Sequence, residues 1–152
     1  MNKINLLEKT IGSGFFTGLI PFAPGTFGSF VGLLIYYTPG FEKPQILIPV
    51  IIIFTFYGIF LGSKFESVYG KDPGQCTIDE IVGMWITLLF LPKTLLISAI
   101  AFFVWRAFDI FKPYPIRKLE ALDGGLGIMI DDVIGGIYSL ITMHIILIFI
   151  LK

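Results

Sequence analysis

At 152 residues the chain has length for one domain and little more. It is 55% hydrophobic and 14% charged, where a typical soluble domain is about 25% charged, and this points to a membrane protein. Eleven basic residues balance eleven acidic ones, so the basic footprint of a nucleic-acid binder is missing, and a single cysteine, Cys76, excludes an internal disulfide framework.

In chain order, Glu8 and Lys9 interrupt the short apolar patch of MNKINLLEKTIGSG, so no signal peptide is expected. Residues 10–41 carry no charge but are broken by PFAPGTFGS at 21–29. Residues 44–63 are uncharged for 20 positions, about 30 Å as a helix, which matches the hydrocarbon core of a bilayer. Residues 81–92 and 94–105 are two apolar runs of 12 separated by Lys93, and each reaches only about 18 Å as a helix. Pro92 disfavours a continuous helix and a lysine in mid-bilayer is costly, so a helical hairpin turning at Pro92–Lys93 is expected in preference to one crossing. Residues 133–151 can span, and the last helix is expected to begin near Asp131. Neither sustained period-2 alternation nor an internal repeat is present. The expected fold is therefore all-α: a compact helical membrane protein with spanning helices and a short helical hairpin, one domain over 1–152.

The hairpin brings 72–80 and 106–112 to one face of the membrane, and the start of the last helix joins them. Lys3, Lys9, Lys64, Lys71, Arg106, Lys112, Arg117 and Lys118 fall on that face, whereas Lys43 and Lys93 fall on the other. The excess of positive charge marks the first face as cytoplasmic.

Four polar patches interrupt the apolar background: PFAPGTFGS, KDPGQCTIDEIVG, WRAFDIFKPYP and GGLGIMIDDVIGG. Helical spacing puts Arg106, Asp109 and Lys112 on one stripe, Glu80 on a face with Gly83, and Asp132 on a face with Gly135 and Gly136. Small residues let helices approach closely. Carboxylates on closely packed helices repel unless a cation lies between them, and hard oxygen ligands suit Mg²⁺. Each patch also has a plain structural reading. Asp131–Asp132 and Asp79–Glu80 can serve as negative charges at helix N-termini. Arg106–Asp109 can be an ordinary ion pair, and PGTFGS a simple turn. What favours a functional reading is their placement on one face.

Several chemistries are excluded. His144 is the only histidine, so mechanisms that need two are ruled out, and deep in the last apolar run it reads as an interhelical hydrogen-bonder. Cys76 has no arginine at the spacing of a cysteine phosphatase, and the glycines of GGLGIMIDDVIGG do not form a nucleotide loop.

Taken together, PFAPGTFGS, DPGQCTIDEIVGMW, RAFDIFKPYPI and GGLGIMIDDVIGG, in that order over residues 12–138, resemble the phosphatidylglycerophosphatase A family of bacterial magnesium-dependent lipid phosphatases. Tyr114 stands where the family pattern has Trp, Gly136 where it has Ala, and Cys76–Thr77 where a more aliphatic pair is usual; no charged position departs. The resemblance implies hydrolysis of phosphatidylglycerophosphate to phosphatidylglycerol and inorganic phosphate, by Mg²⁺-assisted attack of water on a phosphate monoester at the bacterial cytoplasmic (inner) membrane. On this view Asp79, Glu80, Asp109, Asp131 and Asp132 hold one or two Mg²⁺, with Asp79, Asp109 and Asp132 as the catalytic group. Arg106 and Lys112 bind the phosphate, aided by Thr26 and Ser29 from the PGTFGS loop. Two other readings stay open: a cation transporter or channel using the acidic cluster, and a phosphatase for a different phospholipid monoester.

Overall fold

Apolar runs bounded by proline, glycine and charge produce seven α-helices in the computed structural model, which describes residues 3–150. They are α1 (Leu6–Gly12), α2 (Pro24–Tyr36), α3 (Pro44–Tyr69), α4 (Ile78–Leu88), α5 (Leu95–Phe111), α6 (Ile116–Glu120) and α7 (Gly124–Ile150). A single 3₁₀ turn covers Thr17–Leu19, and no strand occurs among the described residues. The outermost residues of the domain expected over 1–152, including position 151 at the end of the expected last span, lie outside the described residues.

The expected all-α fold is found. Helices α3 and α7 are each long and apolar enough to cross a membrane. The expected break at Pro92–Lys93 separates α4 from α5, with Thr94 capping α5 by accepting from the Ile97 amide. Two local expectations are corrected. PGTFGS is not a turn: Pro24 takes the first position of α2, where its missing N–H costs nothing, and the helix continues through Thr26 and Ser29. The last helix starts at Gly124 (φ +72°), about two turns before Asp131. Asp131 and Asp132 are therefore interior helical residues and not caps. Counting uncharged residues ended the run too soon, because a helix can carry acids past that point when they face the protein interior.

The core is organised around α4. Every residue of this helix except Glu80 is buried, because α2, α3, α5 and α7 all pack against it. Trp85 buries its ring and donates Nε1–H to the Gly32 carbonyl of α2 at 2.9 Å. Gly83 lets the Trp105 ring of α5 lie directly on the α4 backbone; a Cβ there would collide with it. Gly136 of α7 meets the Gly83 carbonyl from the other side. These contacts draw α4, α5 and α7 into the close approach that the small residues beside Glu80 and Asp132 led one to expect.

The outer surface has the opposite polarity from that of a water-soluble bundle. On α3, Ile52, Ile53, Phe56 and Phe60 form an exposed apolar stripe, and Ile141, Ile145, Ile148 and Phe149 do the same on α7.

Candidate active site

The polar patches meet at one end of the bundle, where α2 and α4 begin and α5 ends. A cavity of about 280 Å³ opens there. Its wall contains Asp79, Glu80, Arg106, Asp109, Lys112, Asp131 and Asp132, together with Asp72 and the start of α2. Asp79 and Glu80 occupy the first turn of α4, where the helix dipole favours negative charge. Asp109 comes from the last turns of α5. Asp131 and Asp132 come from α7, where they are only 4% exposed.

Two cations each pair with two carboxylates. Arg106 contacts Glu80 Oε2, and its Nη1 is 2.9 Å from Asp109 Oδ2, one helical turn away. The fully buried Ser29 hydroxyl braces this group. It accepts from Trp105 Nε1 at 2.9 Å and from Arg106 Nη1 at 3.3 Å, and donates to Glu80 Oε2 at 3.1 Å. Gly25 completes the packing, since a Cβ at that position would run into the Glu80 carboxylate. The second cation, Lys112, lies just past the end of α5 in the left-handed region (φ +44°). Its Nζ donates to Glu120 Oε1 at 2.7 Å and Asp131 Oδ2 at 2.9 Å. Burial pulls the ammonium pKa down, but the bonds to Glu120 and Asp131 outweigh burial and raise it above the ordinary lysine value. Lys112 therefore stays charged.

Even with both cations in place, the acids are incompletely neutralised. Asp79 Oδ1, Asp131 Oδ1 and Asp132 Oδ2 are buried without a hydrogen-bond partner among the described residues. Buried polar atoms are normally paired, and a buried unpaired carboxylate oxygen is costly. Glu80, Asp109 and Asp132, from three different helices, each offer an oxygen within 4.8 Å of the others. Oxygen donors alone, three converging carboxylates and orphaned partners beside them make a donor set that fits a hard divalent cation such as Mg²⁺.

All five acids named from the sequence line the cavity, as do Arg106 and Lys112. Ser29 is adjacent but buried behind Glu80, and Thr26 is not in the cavity wall. Three further residues to which the sequence reading gave no role belong to the site. Asp72 lines the cavity from a loop position with φ +46°. Glu120 holds Lys112. Thr77, a wall residue directly before α4, has a buried hydroxyl without a partner. Asp72 and Thr77 both stand inside the KDPGQCTIDEIVG patch, whereas Glu120 lies outside all four patches. Cys76 also lines the cavity; burial, with Asp79 adding to it, pushes its thiol pKa well up, so it is no thiolate nucleophile.

Comparison with known proteins shows the family of the chain. A family model described as phosphatidylglycerophosphatase A matches residues 10–147. A Bacteroides thetaiotaomicron protein provisionally named phosphatidylinositol-3-phosphatase is 39% identical over 155 residues, covering 95% of this chain and 96% of its own. The Escherichia coli K12 protein named phosphatidylglycerophosphatase A is 37% identical over 129 residues, covering 83% of this chain and 75% of its own. A Haemophilus influenzae protein of the same name is 38% identical over 155 residues, covering 94% and 91%. No solved structure matches the chain significantly.

Proposed function

Since the chain belongs to the phosphatidylglycerophosphatase A family, we propose that it hydrolyses the terminal phosphate monoester of phosphatidylglycerophosphate, releasing phosphatidylglycerol and inorganic phosphate. The observation that carries the chemistry is the convergence of Glu80, Asp109 and Asp132 within 4.8 Å, beside buried carboxylate oxygens that lack partners. Glu80, Asp109 and Asp132 would hold Mg²⁺, and Asp79 and Asp131 lie in the same wall for a second ion. Bound there, Mg²⁺ supplies neutralisation of phosphoryl oxygens and acidification of water.

The rest of the work falls to the chain itself. Arg106, braced by Ser29, fixes Glu80 and Asp109 in position and adds positive charge for the phosphate. Lys112 contributes a permanent ammonium to the same cavity. With the Cys76 thiol kept neutral and no histidine in the wall, direct attack by water fits better than a covalent intermediate. The apolar outer faces of α3 and α7 would lie in lipid, with the site at the cytoplasmic surface of the inner membrane.

A second substrate reading has its own support: the Bacteroides relative carries the name of a phosphatidylinositol-3-phosphatase. A cation channel is disfavoured, because the acids gather at one end of the bundle and do not line a path through it. A phosphate-release assay on detergent-solubilised protein separates these readings. Phosphatidylglycerophosphate should be turned over with Mg²⁺ and be silent in EDTA. Preference for phosphatidylinositol 3-phosphate would select the second reading and undiminished turnover in chelator would remove the metal, while cation flux through the protein reconstituted in liposomes, without phosphate release, would revive the channel.

A further inference from the structure

Three cavities adjoin along the C-terminal end of α5. The acid cavity has Lys112 in its wall, and Lys112 also lines a second cavity of about 420 Å³ formed by Phe111, Pro113, Tyr114, Arg117 and Lys118. Phe111 and Pro113 in turn border a third, of about 200 Å³, whose remaining lining is Ala107 and Phe108. The order is acidic, then cationic and aromatic, then wholly apolar.

The middle cavity holds the uncommitted charge. Arg106 and Lys112 are each tied to two carboxylates. Arg117 and Lys118 are exposed, and among the described residues neither pairs with an acid. Lys118 Nζ lies over the Tyr114 ring, 5.1 Å from its centroid, a contact that steadies the side chain without neutralising it. Phe111 and Tyr114 beside them are 73% and 75% exposed, so the cationic cavity merges with an apolar rim.

We infer that the middle cavity binds the phosphodiester of the same lipid whose monoester enters the acid cavity, with Arg117 and Lys118 as its cations and the apolar cavity receiving the start of the diacylglycerol. The inference rests on the lipid phosphomonoesterase reading and holds for either headgroup. Phosphatidylglycerophosphate and phosphatidylinositol 3-phosphate both carry a diester next to the diacylglycerol and a separate monoester beyond it, the order in which the cavities lie. The diester keeps its charge while the monoester is cleaved. Its cations therefore bind ground and transition states alike, and their contribution belongs in KM and not in kcat.

The test uses the full chain in neutral detergent micelles with Mg²⁺ and compares wild type with Arg117→Gln/Lys118→Gln. KM for the lipid substrate should rise about tenfold or more, as expected for loss of charge-assisted contacts, with kcat unchanged. Inhibition by the dephosphorylated short-chain product lipid, present as monomer and still bearing the diester, should weaken by the same factor, and inhibition by inorganic phosphate should not change. The charge-keeping Arg117→Lys/Lys118→Arg should recover most of the loss. Unchanged KM and product inhibition would overturn the assignment. So would a raised KM with unaltered inhibition by the monomeric product, which would make the patch a surface for anionic membranes. A fall in kcat with weakened phosphate inhibition would overturn it too, reducing the patch to a prop for the acid cavity. Absence of phosphate release by wild type from either lipid would instead defeat the parent reading, before any variant is compared.

Discussion

The two cation-centred halves of the site are built differently. Around Arg106, every support is internal: Ser29 and Trp105 lie fully buried, and Glu80 and Asp109 are held from α4 and α5. Around Lys112, the lysine sits past a helix end, one partner is the half-buried Glu120, and the same side chain borders the exposed Arg117–Lys118 cavity. A planar guanidinium in a fixed fork suits the first task, and a flexible ammonium suits the second. The difference suggests a rigid half that sets geometry and an adaptable half that meets the lipid.

Substitutions should grade accordingly. The largest effect belongs to Asp132→Asn, which removes one of three converging carboxylates while preserving shape; phosphate release should fall by about 100-fold or more, with helicity by circular dichroism retained. Near-wild-type turnover would take Asp132 out of the site. Ser29→Ala should rank next. It strips the brace from Arg106 and leaves Trp105 Nε1 unpaired, so kcat should drop about tenfold and unfolding should become easier by roughly 1–3 kcal/mol, read from thermal melts in detergent. Glu120→Gln should cost least, within about threefold, because Lys112 keeps Asp131 and the lost partner is partly exposed. Should Glu120→Gln prove worse than Ser29→Ala, the division into rigid and adaptable halves is wrong.

Much of this arrangement was legible in the chain before any coordinates. Uncharged runs located α3 and α7, Pro92 separated α4 from α5, and the spacing of Arg106 and Asp109 foretold their ion pair. The five acids were found because carboxylates stand out against apolar neighbours. Element starts were harder. Pro24 can open a helix or a turn with equal local ease, and only the packing of α2 on α4 decides. Gly124 begins α7 far upstream because Asp131 and Asp132 point into a cavity, which linear hydropathy does not register. Asp72 was placed on the polar face without a role and Glu120 was missed for a related reason: their part depends on where two connecting segments fold back, and no periodicity encodes that.

The enclosure of α4 has a consequence for biogenesis. Eleven residues give about 17 Å of helix, roughly half a hydrocarbon thickness, and two of them are acids. A segment so short and so charged has little reason to partition into lipid unaided. It becomes comfortable only when four neighbours surround it. The longer helices would therefore have to insert first and receive α4 afterwards, so the segment that carries Asp79 and Glu80 is among the last to settle into place.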